Sequence, residues 1–102
     1  MSQLWEVLVP RVLNSGVEIA LSHHKQWDEN IRQIAGGLTI LKTAKGVWES
    51  PDGQIFREEM IPVRIACTEE QINQIINLTI EHYDQEAVMA YRVSDKVIIT
   101  HR

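Results

Sequence analysis

The chain has 102 residues, the size of one domain with a single core, and we expect a single domain spanning residues 1–102. Its formal charge is −4 and its ten Lys and Arg form no cluster, which argues against a nucleic-acid-binding surface because such surfaces concentrate positive charge. The one cysteine, Cys67, excludes an internal disulfide and a cysteine-based metal cluster.

Targeting and membrane signals are missing from the sequence. The segment 1–6 has no basic stretch leading into a long apolar run, and about 18 consecutive apolar residues occur nowhere. We therefore expect a cytoplasmic protein without a membrane partner.

The first half of the chain alternates between strand and helix patterns. A short apolar strand runs from Trp5 to Val9 and ends at Pro10, and Ser22 is expected to cap a helix that Gly36-Gly37 stops. The buried positions of that helix recur at helical spacing: Trp27, Ile31 and Ile34. Extended segments follow at Leu38–Thr43 and Val47–Trp48.

A hairpin is predicted at the centre of the chain. The turn signal Ser50-Pro51-Asp52-Gly53 connects the Val47–Trp48 arm to a strand that runs to Ile65. Side chains alternate across a strand. This alternation gives a core face and an opposite face: Ile61, Val63 and Ile65 against Glu58, Met60 and Arg64.

The second helix carries the clearest signals. Thr68-Glu69-Glu70-Gln71 has the spacing of a capping box, with carboxylates in the first turn, where they favour the helix dipole. Its apolar stripe consists of Ile72, Ile75, Ile76, Ile80 and Tyr83. A strand at Ala87–Val93 and a short final strand at Val97–Ile99 complete the chain.

The order of elements predicts an α+β, ferredoxin-like βαββαβ fold with a short extra C-terminal strand. Two helices cover one face of such a sheet, yet several strands are apolar on both sides. We expect this second face, with Val88 or Ala90 on it, to mediate self-association. The alternative is a long loop that folds over it.

Most of the other residues that could form a functional site are better interpreted as structural. The histidines (His23, His24, His82 and His101) lack the spacing of a metal site, and Cys67 is expected to be a buried, inert thiol. No phosphate-binding or dinucleotide-binding glycine motif occurs, so we expect no cofactor.

Glu58 is the carboxylate with the best claim to function, because it is placed beside apolar surface where a carboxylate can bind a cationic ligand. The competing interpretation is a solvated residue or a structural ion pair with Arg64. Glu59 points to the opposite face. Trp48, on the hairpin arm, is a plausible stacking partner for a purine ring.

Three segments together resemble the small bacteriophage S-adenosylmethionine lyases: Phe56-Arg57-Glu58, Val63-Arg64-Ile65, and the run from Tyr83 to Tyr91. The resemblance in layout extends from about Trp5 to Ile99. It implies trimers of ferredoxin-like subunits related to PII proteins, with Glu58 as the residue associated with activity and Phe56 where a tyrosine is expected. The sequence is also similar to an uncharacterised bacterial family, in a Gly-Leu-Thr strand, a Gly-x-Trp arm and an Arg-Glu pair: Gly37–Thr39, Gly46–Trp48 and Arg57-Glu58.

The lyase resemblance implies a small-molecule substrate, S-adenosylmethionine, that is split into homoserine lactone and methylthioadenosine at the subunit interfaces of a homotrimer, in the host cytoplasm if the chain is phage-encoded. It implies Glu58 as the catalytic carboxylate. The residues implied to contact the substrate are Arg64, Trp48, Tyr91 and Phe56. The alternative function is a non-catalytic oligomeric module that binds or sequesters a nucleotide-like small molecule.

Overall fold

The computed structural model describes residues 2–102 and contains one five-stranded antiparallel sheet and two helices. The strands are β1 (Gln3–Pro10), β2 (Thr39–Ile40), β3 (Ala44–Glu49), β4 (Ile55–Cys67) and β5 (Ala90–Ser94), and the helices are α1 (Leu21–Ala35) and α2 (Glu69–Tyr83). The sheet order is β2-β4-β1-β5, and β3 pairs with the first half of β4. The predicted α+β, ferredoxin-like fold class is confirmed.

The core lies between the sheet and the two helices, as the alternation in β4 predicts. Val63 and Ile65 are buried there, opposite Val7 and Trp5 of β1. The helices contribute Trp27, Ile31, Ile72, Ile75 and Tyr83. Each large apolar side chain buried in this way contributes about 1.5–3 kcal/mol to folding.

The two helices begin differently. Thr68 forms the predicted capping box with Gln71, in which each side chain bonds the other residue's backbone N–H. Helix α1 does not use Ser22, because its N-cap is Ala20, which makes no side-chain cap bond. The buried Ile19, whose N–H bonds the Arg11 carbonyl, fixes the chain just before this start. Gly36 ends α1 with a φ of 89°, as its sequence predicts.

The C-terminal end of the sheet differs from the prediction. Residues 97–99 form no strand in the part of the chain that the structure describes, and the fifth strand is β2 instead. Ser94 forms a tight turn with Lys96 through its hydroxyl, and this turn does not return the chain alongside β5. The strand-forming composition of 97–99 therefore has no neighbour to pair with.

The prediction that Val88 and Ala90 lie on the helix-free face of the sheet is also wrong. Ala90 is paired with Val7 and packs, like Val88, against the core on the helix side of the sheet. Tyr91 of β5 and Met89, which directly precedes the strand, lie on the other face, where both are exposed. A loss of assembly on changing Val88 or Ala90 would therefore report on the core.

No helix within residues 2–102 is long and apolar enough to cross a membrane.

Candidate functional site

The helix-free face of the sheet carries the five residues that the sequence singled out. Trp48 lies opposite Phe56 in the β3–β4 ladder, and Gly46 lies opposite Glu58. Further along the sheet Glu6 of β1 is paired with both Arg64 and Tyr91. Because paired residues point to the same face, register alone places these side chains together on one side.

The first group lies on the hairpin arm, which we define as residues 44–59. The rings of Trp48 and Phe56 stack with centroids 4.4 Å apart and planes 15° apart. Trp48 and Glu58 both line a groove of about 500 Å³. Phe56 therefore supports the tryptophan from behind, and the carboxylate and the indole face the same space.

The remaining walls of this groove are mostly apolar. They are supplied by Leu8, Pro10, Gly46, Val47, Met60, Gln85, Ala87, Val88 and Met89. Gly46 leaves room for a neighbour, because a Cβ on it would lie 2.7 Å from the Met60 Cε atom. The arrangement combines one carboxylate and one aromatic ring with thioether and aliphatic surface, which suits a ligand that is partly apolar and carries a positive charge.

Glu58 and Glu59 have different surroundings. The Arg11 Nη1 atom donates to Glu59 Oε2 at 2.6 Å, on the helix side of the sheet. Glu58 is exposed, and no salt bridge to it forms within residues 2–102. The alternation predicted for the two carboxylates is confirmed, and Glu58 is the one without a salt bridge among residues 2–102.

The second group lies at the centre of the sheet and contains a residue that the sequence reasoning missed. Arg64 Nε donates to Glu6 Oε1 at 3.0 Å, and the Tyr91 hydroxyl donates to Glu6 Oε2. The Glu6 side chain is only 8% exposed. A carboxylate inside the apolar run Trp5-Glu6-Val7-Leu8 was the available signal, since buried acids are kept by paired partners.

The two groups are well separated. Glu58 and Arg64 lie six residues apart on β4, and a rise of about 3.3 Å per residue puts roughly 20 Å between them. One chain therefore brings Trp48, Phe56 and Glu58 together and leaves Arg64 and Tyr91 in a separate network. The structural ion pair considered for Arg64 is real, but its partner is Glu6 rather than Glu58.

The centre of the helix-free face is less open than its apolar composition suggests. Glu6 and Pro62 are buried there, whereas Tyr91 and Val93 of β5 and the preceding Met89 are exposed. Exposed apolar surface is thus concentrated at the β5 side and on the arm.

Three of the histidines connect the two helices: His23, His24 and His82. His23 and His82 stack with ring centroids 3.9 Å apart, and each Nε2 bonds the other residue's backbone carbonyl at 2.7 Å. His24 Nδ1 bonds the Tyr83 hydroxyl at 2.6 Å. Burial lowers the pKa of His24, while the nearby Asp28 opposes this change. These contacts are structural, and residues 2–102 contain no group of three or more metal-ligating side chains that could hold an ion.

Cys67 is buried at the end of β4, as predicted. Burial raises the pKa of its thiol to about 11, so almost no thiolate exists at neutral pH.

No model of a protein family matches the sequence, and no curated protein matches it. Solved structures match its fold. The periplasmic divalent cation tolerance protein CutA from Archaeoglobus fulgidus aligns with a TM-score of 0.69 at 9% identity, over 97% of this chain and 88% of that one. CutA1 from Oryza sativa aligns with a TM-score of 0.70 at 13% identity, over 96% and 83%.

A phage SAM lyase in complex with S-methyl-5'-thioadenosine aligns with a TM-score of 0.65 at 15% identity, over 91% of this chain and 89% of that one. The chain has the PII-like fold of these proteins. Identities this low establish the fold alone, because one fold supports many functions.

Proposed function

We propose that this protein binds S-adenosylmethionine in the groove of the hairpin arm and cleaves it to homoserine lactone and methylthioadenosine. The observation that carries the proposal is the Glu58 carboxylate, which faces the groove beside Trp48 without a salt-bridge partner among residues 2–102. The match in fold to a phage SAM lyase, over about nine-tenths of both chains, supports the choice of substrate.

The groove suits the three parts of this ligand. Trp48 offers a π face to adenine, Glu58 offers a negative charge to the ammonium or sulfonium, and Met60 and Met89 offer apolar surface to the thioether region. Phe56 acts through Trp48 by holding its ring in place.

The reaction asks little of the protein. A carboxylate oxygen of the substrate attacks its own γ-carbon, the bond from that carbon to sulfur breaks, and its electron pair stays on sulfur. No proton, water or co-reactant is consumed. The site has to hold the substrate in a folded, near-attack conformation, which proximity effects make worth several kcal/mol of the barrier.

Charge changes during this step assign Glu58 a role in binding. The carboxylate and sulfonium charges of the substrate are partly neutralised in the transition state, so exclusion of water favours the step, whereas the ammonium charge persists throughout. A contact between Glu58 and the ammonium therefore stabilises the bound substrate and the transition state equally. Its loss should raise KM more than it lowers kcat.

We further propose that the site is completed in a homo-oligomer, a trimer in the simplest case, in the cytoplasm. Arg64 lies roughly 20 Å from Glu58 along β4 of one chain, and Tyr91 is joined to Arg64 through Glu6, so these two residues reach the same ligand only from a second copy. Exposed Met89 and Val93 beside Tyr91 provide apolar surface for that contact. A neighbour placed over the groove would also exclude water from it.

A second candidate is a non-catalytic module that binds a nucleotide-like cation. The observation that favours it is the exposure of Glu58, because a site open to solvent favours binding over water-sensitive chemistry.

The test is incubation of the purified protein with S-adenosylmethionine, with methylthioadenosine and homoserine lactone measured by chromatography and binding measured by calorimetry. Formation of both products in equal amounts supports the lyase. Binding without products supports the module. Neither binding nor products at millimolar ligand would overturn the proposal.

A further inference from the structure

The hairpin arm is a two-stranded ribbon formed by β3 and the first part of β4. Strand β1 pairs with β4 only from Met60 onwards, and beyond it the Arg11 N–H bonds the Glu59 carbonyl, so residues 55–58 are paired with β3 alone. The outer edge of β3 has no strand beside it within residues 2–102. Two-stranded ribbons are marginally stable in water, so this arm gains most from a third strand.

The arm also exposes apolar side chains. Val47 is 66% exposed, Trp48 48% and Ile55 55%. An uncovered strand edge flanked by apolar side chains is a template for pairing with another extended segment.

The C-terminal segment has the complementary properties. We call residues 96–102 the tail, and its centre, Val97-Ile98-Ile99-Thr100, consists entirely of β-branched residues, which favour strands. It forms no strand in the structure, and Ile98 and Ile99 are 75% and 68% exposed. The segment is thus a strand-forming sequence without a sheet.

Charge favours pairing between the tail and the arm. The arm carries four carboxylates against two cationic side chains: Glu49, Asp52, Glu58 and Glu59 against Lys45 and Arg57. The tail carries Lys96 and Arg102 and no acidic residue. Opposite charges attract the tail to the arm as two copies approach, and they favour a pairing register that places these charges side by side.

We propose that the tail of one copy adds as a strand to the free edge of β3 in a second copy. Backbone hydrogen bonds supply the attraction, and Ile98 or Ile99 covers Val47 or Trp48 according to register. The contact joins two different surfaces, so it propagates from copy to copy until a ring closes. It concerns assembly and holds whether or not the protein cleaves S-adenosylmethionine.

Site-directed cross-linking tests this contact. Cysteines are placed at Val47 and Ile98 in one chain, and a short bismaleimide is added, whose reach tolerates a shift in register. The native Cys67 is buried with a thiol pKa of about 11, so it stays unreactive in the folded protein. The matched control moves the first cysteine to Asn73, which is exposed on α2.

The proposal requires covalent dimers and larger species of the Val47→Cys/Ile98→Cys chain in denaturing gels, at several times the yield of the Asn73→Cys/Ile98→Cys chain. Equal yields, or a product confined to single chains of 11.7 kDa, would overturn it.

Proline substitution supplies a second, independent test. Ile98→Pro removes a backbone donor from the centre of the tail, and His101→Pro makes the same change beyond its β-branched run. We expect Ile98→Pro to weaken self-association at least tenfold in sedimentation experiments, with an unchanged circular dichroism spectrum, and His101→Pro to leave it within twofold of the wild type. Equal self-association of both variants and the wild type would contradict strand addition by the tail.

Discussion

Replacing Tyr91 by Phe tests whether the network around Glu6 is structural. The change removes the hydroxyl that donates to Glu6 Oε2 and keeps the ring, leaving Arg64 as the partner of a carboxylate that is 8% exposed. Hydrogen bonds to charged groups contribute about 1.5–3 kcal/mol. Tyr91 is 43% exposed, which reduces the expected loss to about 1–2 kcal/mol because water replaces part of the bond.

The measurement is urea and thermal unfolding at one fixed protein concentration, since self-association adds to apparent stability. For a domain of this size a loss of 1 kcal/mol lowers Tm by about 4–8 °C. Glu6→Gln and the double variant complete a mutant cycle, and we expect a coupling energy of about 1 kcal/mol between positions 6 and 91. A Tyr91→Phe protein as stable as the wild type, with no coupling to Glu6, would refute the structural role of the Tyr91 hydroxyl.

Three further predictions concern the core and the helix pair. Thr79→Val leaves the buried Trp27 Nε1–H without its acceptor, so we expect a loss of about 1–3 kcal/mol in urea unfolding, whereas a loss no larger than that of Thr79→Ser would contradict the role of the hydroxyl. Burial lowers the pKa of His24 below its ordinary 6.5, so as the pH falls the unfolded chain takes up a proton at His24 before the folded chain does. We therefore expect the free energy of unfolding to fall as pH drops from 7.5 to 5.5, and His24→Gln to reduce that pH dependence. The same pH dependence in His24→Gln and the wild type would contradict this. Cys67 should react with a thiol reagent at pH 7.5 only at the rate of unfolding, and rapid labelling of the native protein would contradict its burial.

Local patterns in the sequence predicted most of the fold. The capping box at Thr68, the stop at Gly36 and the hairpin around the Ser50–Gly53 turn all depend on neighbouring residues, and each forms as expected. The predicted start of α1 and the predicted strand at residues 97–99 were wrong because both features depend on contacts between residues distant in sequence. Ile19 is fixed by a bond to the Arg11 carbonyl, and residues 97–99 have no adjacent strand in the described chain.

The candidate site also contains features that depend on neighbouring residues and features that depend on distant ones. Alternation along β4 correctly separated Glu58 from Glu59, because it needs only the strand itself. The partner of Arg64 could not be predicted, since the pairing of Glu6 with both Arg64 and Tyr91 comes from the register of three strands that are distant in sequence. A buried carboxylate in an apolar strand is the general signal that such partners exist.

The most direct test of the proposed function is a kinetic comparison of Glu58→Gln with Glu59→Gln, using formation of methylthioadenosine from S-adenosylmethionine. Both changes remove one charge at adjacent positions of β4, but only Glu58 lines the groove, and Glu59 pairs with Arg11 on the other side. An ionic hydrogen bond worth about 1.5–3 kcal/mol predicts a loss of at least tenfold in kcat/KM for Glu58→Gln, carried mainly by KM, with Glu59→Gln within about twofold of the wild type. Equal activity of Glu58→Gln and the wild type would contradict the assignment of Glu58.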